Sequence, residues 1–184
     1  TFSPEVQEAT LEADGPRPVR ALAPSMVLVD FDVAFPVEGS AGTSFQGHGL
    51  IVDTTRGLIV VDRDTVPHLA GDVRITVAGS VRIPAQVRAV HPVHNLAIVQ
   101  YNPELLGDTP VRQAEFRPGA DPGDDLWQVG LSSAGEPVFQ EVVVTRVDPP
   151  DLSYPGVPRA RETNVALLQV DDYVASVGGV LADR

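Results

Sequence analysis

FQGHGLIVDTTRGLIVVDRDTV, residues 45–66, decides how the rest of the chain is read. It holds two apolar runs, 45–53 and 57–62, separated by Thr54-Thr55-Arg56. Short β-branched runs bounded by Gly and Asp are the mark of strands. The same texture extends outward in both directions. MVLVDFDVAF (26–35), VRITVAG (73–79), VRIPAQVRAV (81–90) and NLAIVQY (95–101) read as further strands, several of them alternating apolar and polar. Turn signals recurring every ~8–12 residues point to an all-β sandwich or barrel. After a loop at 102–110 a second series follows: DLWQVGL (125–131), VFQEVVVTRVD (138–148), VALLQV (165–170) and GGVLAD (178–183). The stretch 148–162 carries Pro149, Pro150, Pro155 and Pro158 and reads as a loop, because proline cannot sit in a sheet interior. No amphipathic helix is expected after residue 25. Periodicity therefore predicts six strands and then four or more, joined near 102–124.

The bulk composition limits what such a chain can do. Its 184 residues, 43% hydrophobic and 21% charged, are globular rather than disordered and long enough to bury a core. No apolar run approaches the roughly 18 residues of a membrane span. Residues 1–24 are acidic, contain Pro4, Pro16, Pro18 and Pro24, and read as a linker with a helix-compatible stretch only at 5–12. The chain opens on Thr1 with neither a signal-peptide pattern nor an initiator Met, and reads as a segment of a longer protein. A net charge of −12 argues against nucleic acid, which needs clustered cations. Here every basic residue is Arg, scattered singly as at Arg56, Arg63, Arg74, Arg82 and Arg88. The absence of Cys removes disulfides, thiolate zinc sites and a thiol nucleophile, and leaves the compartment open.

Three segments, in order, carry a resemblance. FQGHGLIVDTTRGLIVVDRDTV (45–66), VRAVHPVHNLAIVQY (87–101) and LLQVDDYVASVGGVLAD (167–183) resemble the base, acid and nucleophile segments of the HtrA/Deg-type trypsin-like serine proteases. VVDRDTVP and HPVHNLAIVQY are similar to one branch, large proteins with two protease-like domains and several PDZ domains, whose second protease-like domain is degenerate. The resemblance covers about residues 26–184 and implies a chymotrypsin/trypsin-like double β-barrel. On that pattern 1–24 is a linker, 25–101 the first barrel, 102–124 the connection and 125–184 a partial second barrel. The family's general-base His falls on Asp64, its orienting Asp on Asn95 and its nucleophilic Ser on Val177. The vestigial oxyanion loop is Ala175-Ser176, about two residues shorter than the family's, and Val180 replaces the proline after the two glycines.

The chemistry makes that substitution pattern decisive. Acyl transfer needs a hydroxyl nucleophile, an imidazole to carry its proton and a carboxylate to orient the imidazole. Valine has no lone pair, and a carboxylate at 64 is a weak proton acceptor near neutral pH. An oxyanion hole built of backbone N–H groups can outlive its triad. Alone it supplies only about 10³–10⁴-fold over water, and Ala175 in place of glycine restricts the loop. The expectation is a segment with no catalytic residues and no peptidase activity of its own.

Other candidate sites have simpler readings. Ser176 and Ser153 are alternative nucleophiles, but a one-residue slip turns Ser176 away from any base, so its hydroxyl reads as turn-bonding or solvated. His91 and His94 near Asp64 form a conceivable N/O metal cluster; the preferred reading is exposed loop histidines and no metal. Asp121, Asp124, Asp125, Asp171 and Asp172 read as solvated acidic loops rather than paired glycosidase carboxylates. Gly47, Gly49, Gly178 and Gly179 precede no Lys and no helix, so they are not a phosphate cradle. Trp127 reads as a core or rim residue. No cofactor is implied. The expected partners are the protease-like and PDZ domains of the same chain, extended peptides, and a second copy in a homo-oligomer. The competing expectations are a divergent hydrolase with an unrecognised site, or a peptide-binding β-barrel unrelated to proteases.

Overall fold

The computed structural model describes residues 5–10, 14–35, 42–148 and 167–184. After a short helix α1 (Arg17–Leu22), the strands are β1 (Met26–Asp32), β2 (Ser44–Asp53), β3 (Leu58–Val61), β4 (Asp72–Val77), β5 (Val81–Val90), β6 (Ala97–Tyr101), β7 (Asp125–Leu131), β8 (Pro137–Asp148), β9 (Leu167–Val170) and β10 (Gly179–Asp183). Every strand expected from the sequence is present, with ends displaced by a few residues.

The first six strands close into an antiparallel barrel in the order β1-β2-β3-β6-β5-β4, with β4 returning to pair with β1. Its cause is visible in single strands. In β4, Val73, Ile75 and Val77 are buried while Asp72, Arg74 and Thr76 between them are not. In β6 the buried set is Ala97, Val99 and Tyr101. That period of two turns one face inward, and closure packs the inward faces on one another. Phe31, Ile51, Ile59, Ile75 and Ile83 fill the centre. Each such burial contributes about 1.5–3 kcal/mol relative to exposure.

The second half is a four-stranded sheet in the order β10-β7-β8-β9. Its Val129 and Leu131 pack with Met26, Leu28 and Leu50 of the barrel, forming an apolar seam between the two halves. On the opposite face Leu126, Val142 and Val144 make a small separate cluster. This arrangement is the trypsin-like plan, with a closed first barrel and a second sheet beside it.

The N-terminal stretch places its helix elsewhere than the 5–12 reading expects. Residues 5–10 belong to no helix or strand and are tied to the body, with Gln7 N–H donating to the Leu105 carbonyl at 3.0 Å and Ala9 N–H to Thr109 Oγ1 at 3.1 Å. The helix stands later, at Arg17–Leu22, where Pro16 is the N-cap and Pro18 lies in the first turn. Proline suits that place because the first helical N–H groups need no intrahelical acceptor. Val19 is fully buried in the seam and Ala23 nearly so. A six-residue helix has too few turns for its periodicity to show against the acidic, proline-rich composition around it.

Candidate functional site

β3 and β6 pair with Val61 opposite Ala97, so residues just after β3 and just before β6 emerge at one end of the barrel. β2 brings Gly47 and His48 to the same end, because Gly49 lies opposite Val61. The turn after β3 is held by Asp62, which accepts from the Thr65 N–H at 2.7 Å and the Thr65 hydroxyl at 2.8 Å. Thr65 rests on Gly47, where any Cβ would run into its side chain. Glycine is required there by that close approach.

Asn95 ties this turn to the one before β6. Its Oδ1 accepts from the Arg63 N–H at 3.0 Å, and its Nδ2 donates to Asp64 at 3.3 Å. The Arg63 guanidinium donates to the His91 carbonyl at 2.8 Å. His91 Nδ1 accepts from the N–H groups of Val93 and His94, at 3.2 and 2.9 Å, and the two imidazoles stack 4.6 Å apart. That nitrogen is spent within its own turn. Among the described residues no group of three or more His, Asp or Glu is placed to hold a metal ion.

Val177 comes to the same region from the second half. The segment leading to it is fastened across the sheet: the Asp171 carboxylate accepts from Val143 N–H at 2.7 Å, Gln140 donates to Asp172 at 3.2 Å, and Gln128 accepts from Val174 N–H at 2.9 Å. The Val177 N–H donates to the Leu131 carbonyl at 2.9 Å, and its side chain packs into the seam. Ser176 lies against Gly130, whose missing Cβ makes room for it. Gly178 rests on His48, so consecutive residues of β2 support the two regions: Gly47 the turn carrying Asp64, and His48 the segment carrying Val177. Asp64 and Asn95 are in direct contact, while Val177 is bonded to β7.

The remaining sequence candidates have structural duties. The Asp124 carboxylate accepts from the Asp121 N–H at 2.8 Å, and Arg184 lies 3.8 Å from Asp125 and 3.4 Å from Glu141. Trp127 meets Phe139 edge-on at 5.8 Å beside the seam. Ser153 lies outside the described residues. Sequence reasoning passed over His48. It is 7% exposed, and burial pushes its pKa down to about 4 against a smaller upward pull from Asp62. The available signal was the alternation of β2, which puts position 48 on the face of Leu50.

No protein-family model matches the chain. A PDZ domain-containing protein of Schizosaccharomyces pombe is 36% identical over 80% of this chain and 15% of its own length. Protease Do-like 7 of Arabidopsis thaliana is 33% identical over 95% of this chain and 17% of its own. The pro-apoptotic serine protease NMA111 of Saccharomyces cerevisiae is 31% identical, over 90% and 17%. The chain is homologous to HtrA/Deg-type serine proteases with PDZ domains. It spans about a sixth of the length of these curated relatives, 15–17%. Among solved structures, the HtrA-type protease AlgW with tripeptide superposes with a TM-score of 0.65 at 15% identity, over 90% of this chain and 49% of that one. Deg5 superposes at 0.60 and 17% identity, over 88% and 75%. These likenesses establish the HtrA/Deg protease-domain fold for the closed barrel and second sheet together.

Proposed function

We propose that this HtrA/Deg-like segment does not hydrolyse peptide bonds and serves as a structural and interaction module within a longer PDZ-containing protein. One observation carries this reading: the Val177 N–H, at the position where the family's nucleophile falls, is bonded to the Leu131 carbonyl and its side chain is packed in the seam. An oxyanion hole needs N–H groups that point into an open cleft at the developing charge. A donor already paired inside the sheet does not supply one. The Asp64–Asn95 contact supports the same reading, since a carboxylate accepts and an amide donates there. In a working triad the residue at 64 donates and the one at 95 accepts, so the polarity is reversed and no base remains.

Partners follow from the surfaces. A closed barrel has no free edge, so among the described residues the outer edges of β9 and β10 are the ones open to an extended peptide joining by strand addition. Neighbouring PDZ and protease-like domains, a second copy, and extended peptides are the proposed partners. Any peptide cleavage by the longer protein belongs to another domain.

The test is to incubate the chain with unfolded casein and with a fluorophosphonate probe. No cleavage and no labelling are expected, and Val177→Ser restores neither, because position 64 still lacks an imidazole. Turnover in that variant would overturn the reading. Labelling of the parent chain that is lost in Ser176→Ala would instead establish the divergent-hydrolase alternative.

A further inference from the structure

Gly47 and Gly49 turn into the barrel, where a Cβ at 49 would come 2.6 Å from Ile59 Cγ2. The alternation of β2 therefore turns His48 outward with Leu50, into the seam between barrel and sheet. Leu28 lies directly across from it, and Gly178 covers it so closely that a Cβ there would sit 3.1 Å from the His48 Cβ. Gly178 has a φ of +131°, a conformation that glycine adopts without strain. The Nε2 of His48 is buried and has no hydrogen-bond partner among the described residues.

The charged groups around it are committed elsewhere. Asp62 is the carboxylate whose field reaches the ring, and both its oxygens are bonded to Thr65. Asp30, next along the same face of β1, is held by Gln46 and Arg82. Asp64 meets Asn95, and Arg63 donates to the His91 carbonyl. From the covering segment, Asp171 and Asp172 turn away to Val143 and Gln140.

We propose that His48 is a proton-operated latch: the neutral imidazole lets residues 175–179 seat on the barrel, and taking up a proton releases that segment from the seam. An imidazolium has two N–H donors and a charge, and buried here it would have no acceptor for Nε2. The covering segment is the part that yields. β2 is paired on both sides within the closed barrel, whereas 175–178 is held by Val177 N–H on Leu131 and ends at Gly178, just before Gly179 opens β10. The opening is local, and it uncovers Val177 and the rim of β7 while the barrel stays closed. It does not depend on whether the chain cleaves peptides. With the seated imidazole near 4 and a solvated one near 6.5, the open form gains on the order of 100-fold between pH 7 and pH 4.

The experiment is hydrogen exchange of the 184-residue chain at pH 7 and pH 4.5, corrected for intrinsic rates. It is run beside an NMR titration of the His48 ring and repeated with His48→Leu and His48→Gln. Protection over 171–179 is expected to fall at least tenfold in acid while β4 and β5 keep theirs, with the fall absent in both variants. If a variant fails to fold, the wild-type titration still decides, because the His48 ring must titrate below its ordinary value and in step with the loss of protection. A ring that titrates at about 6.5 with no change in protection, or the same acid loss in folded variants, would overturn the latch.

Discussion

The barrel and the second sheet use the same residues to different effect. Both are built from β-branched strands with a period of two, yet the barrel closes on itself and buries Phe31, Ile51, Ile59, Ile75 and Ile83 in one cluster. The second sheet has outer strands β9 and β10, and its own cluster holds Leu126, Val142 and Val144. Much of what it buries it buries against the barrel, through Val129 and Leu131 in the seam. Closure makes the barrel self-sufficient, whereas the sheet depends on its neighbour. The region of Asp64, Asn95 and Val177 sits where the self-sufficient half meets the dependent one. Changes there are expected to disturb the second half first.

Core truncation tests that contrast most strongly. Ile75→Ala is expected to cost about 4 kcal/mol, near the top of the usual range, because the closed wall cannot collapse onto the cavity. Leu126→Ala should cost about 2 kcal/mol, since its small cluster can relax. Urea unfolding measures both, and equal costs would break the distinction. Next in size is pH. His48 in the folded chain holds its proton less tightly than in the unfolded chain, so stability is full above about pH 6.5 and declines as pH drops toward 4. The loss is on the order of 3 kcal/mol and is absent in His48→Leu. Tyr101, inside the barrel, acts at the other extreme. Burial first and Asp53 second raise its pKa to about 12, so its contribution is present below pH 10 and lost as pH rises toward 12. Thermal melts across both ranges should show acid loosening the seam and alkali attacking the barrel.

Smaller effects sharpen the boundary. Gly178→Ala forces a side chain into a positive φ and onto His48, and should cost about 1–2 kcal/mol. Hydrogen exchange would place the loss in 171–179, and loss spread evenly over β4 and β5 would count against the seam. Asn95→Asp sets a second carboxylate beside Asp64 at an exposed site. It should cost less than about 1 kcal/mol, an effect that shrinks in high salt.

The strands were readable because a one-sided sheet writes its burial into alternate residues, as Val73, Ile75 and Val77 do in β4. Three ordered motifs were readable as well, and homology to HtrA/Deg proteases agrees with them. The short α1 was missed, since Val19 alone signals burial within a proline-rich stretch. His48 was missed for a different reason. A histidine between two glycines of a strand gives no sign of being buried until Gly178, 130 positions later, is known to cover it.

Strand content, the order of the motifs and the residues at 64, 95 and 177 are local properties, written in side-chain type and spacing. Closure of the first six strands, the bond from Val177 N–H to Leu131 and the burial of His48 are not, because each depends on segments far apart in the chain meeting at one seam. Periodicity says which face of a strand is apolar. It does not say what that face will touch, and at the seam the neighbour decides whether a polar group is solvated, bonded or left without a partner.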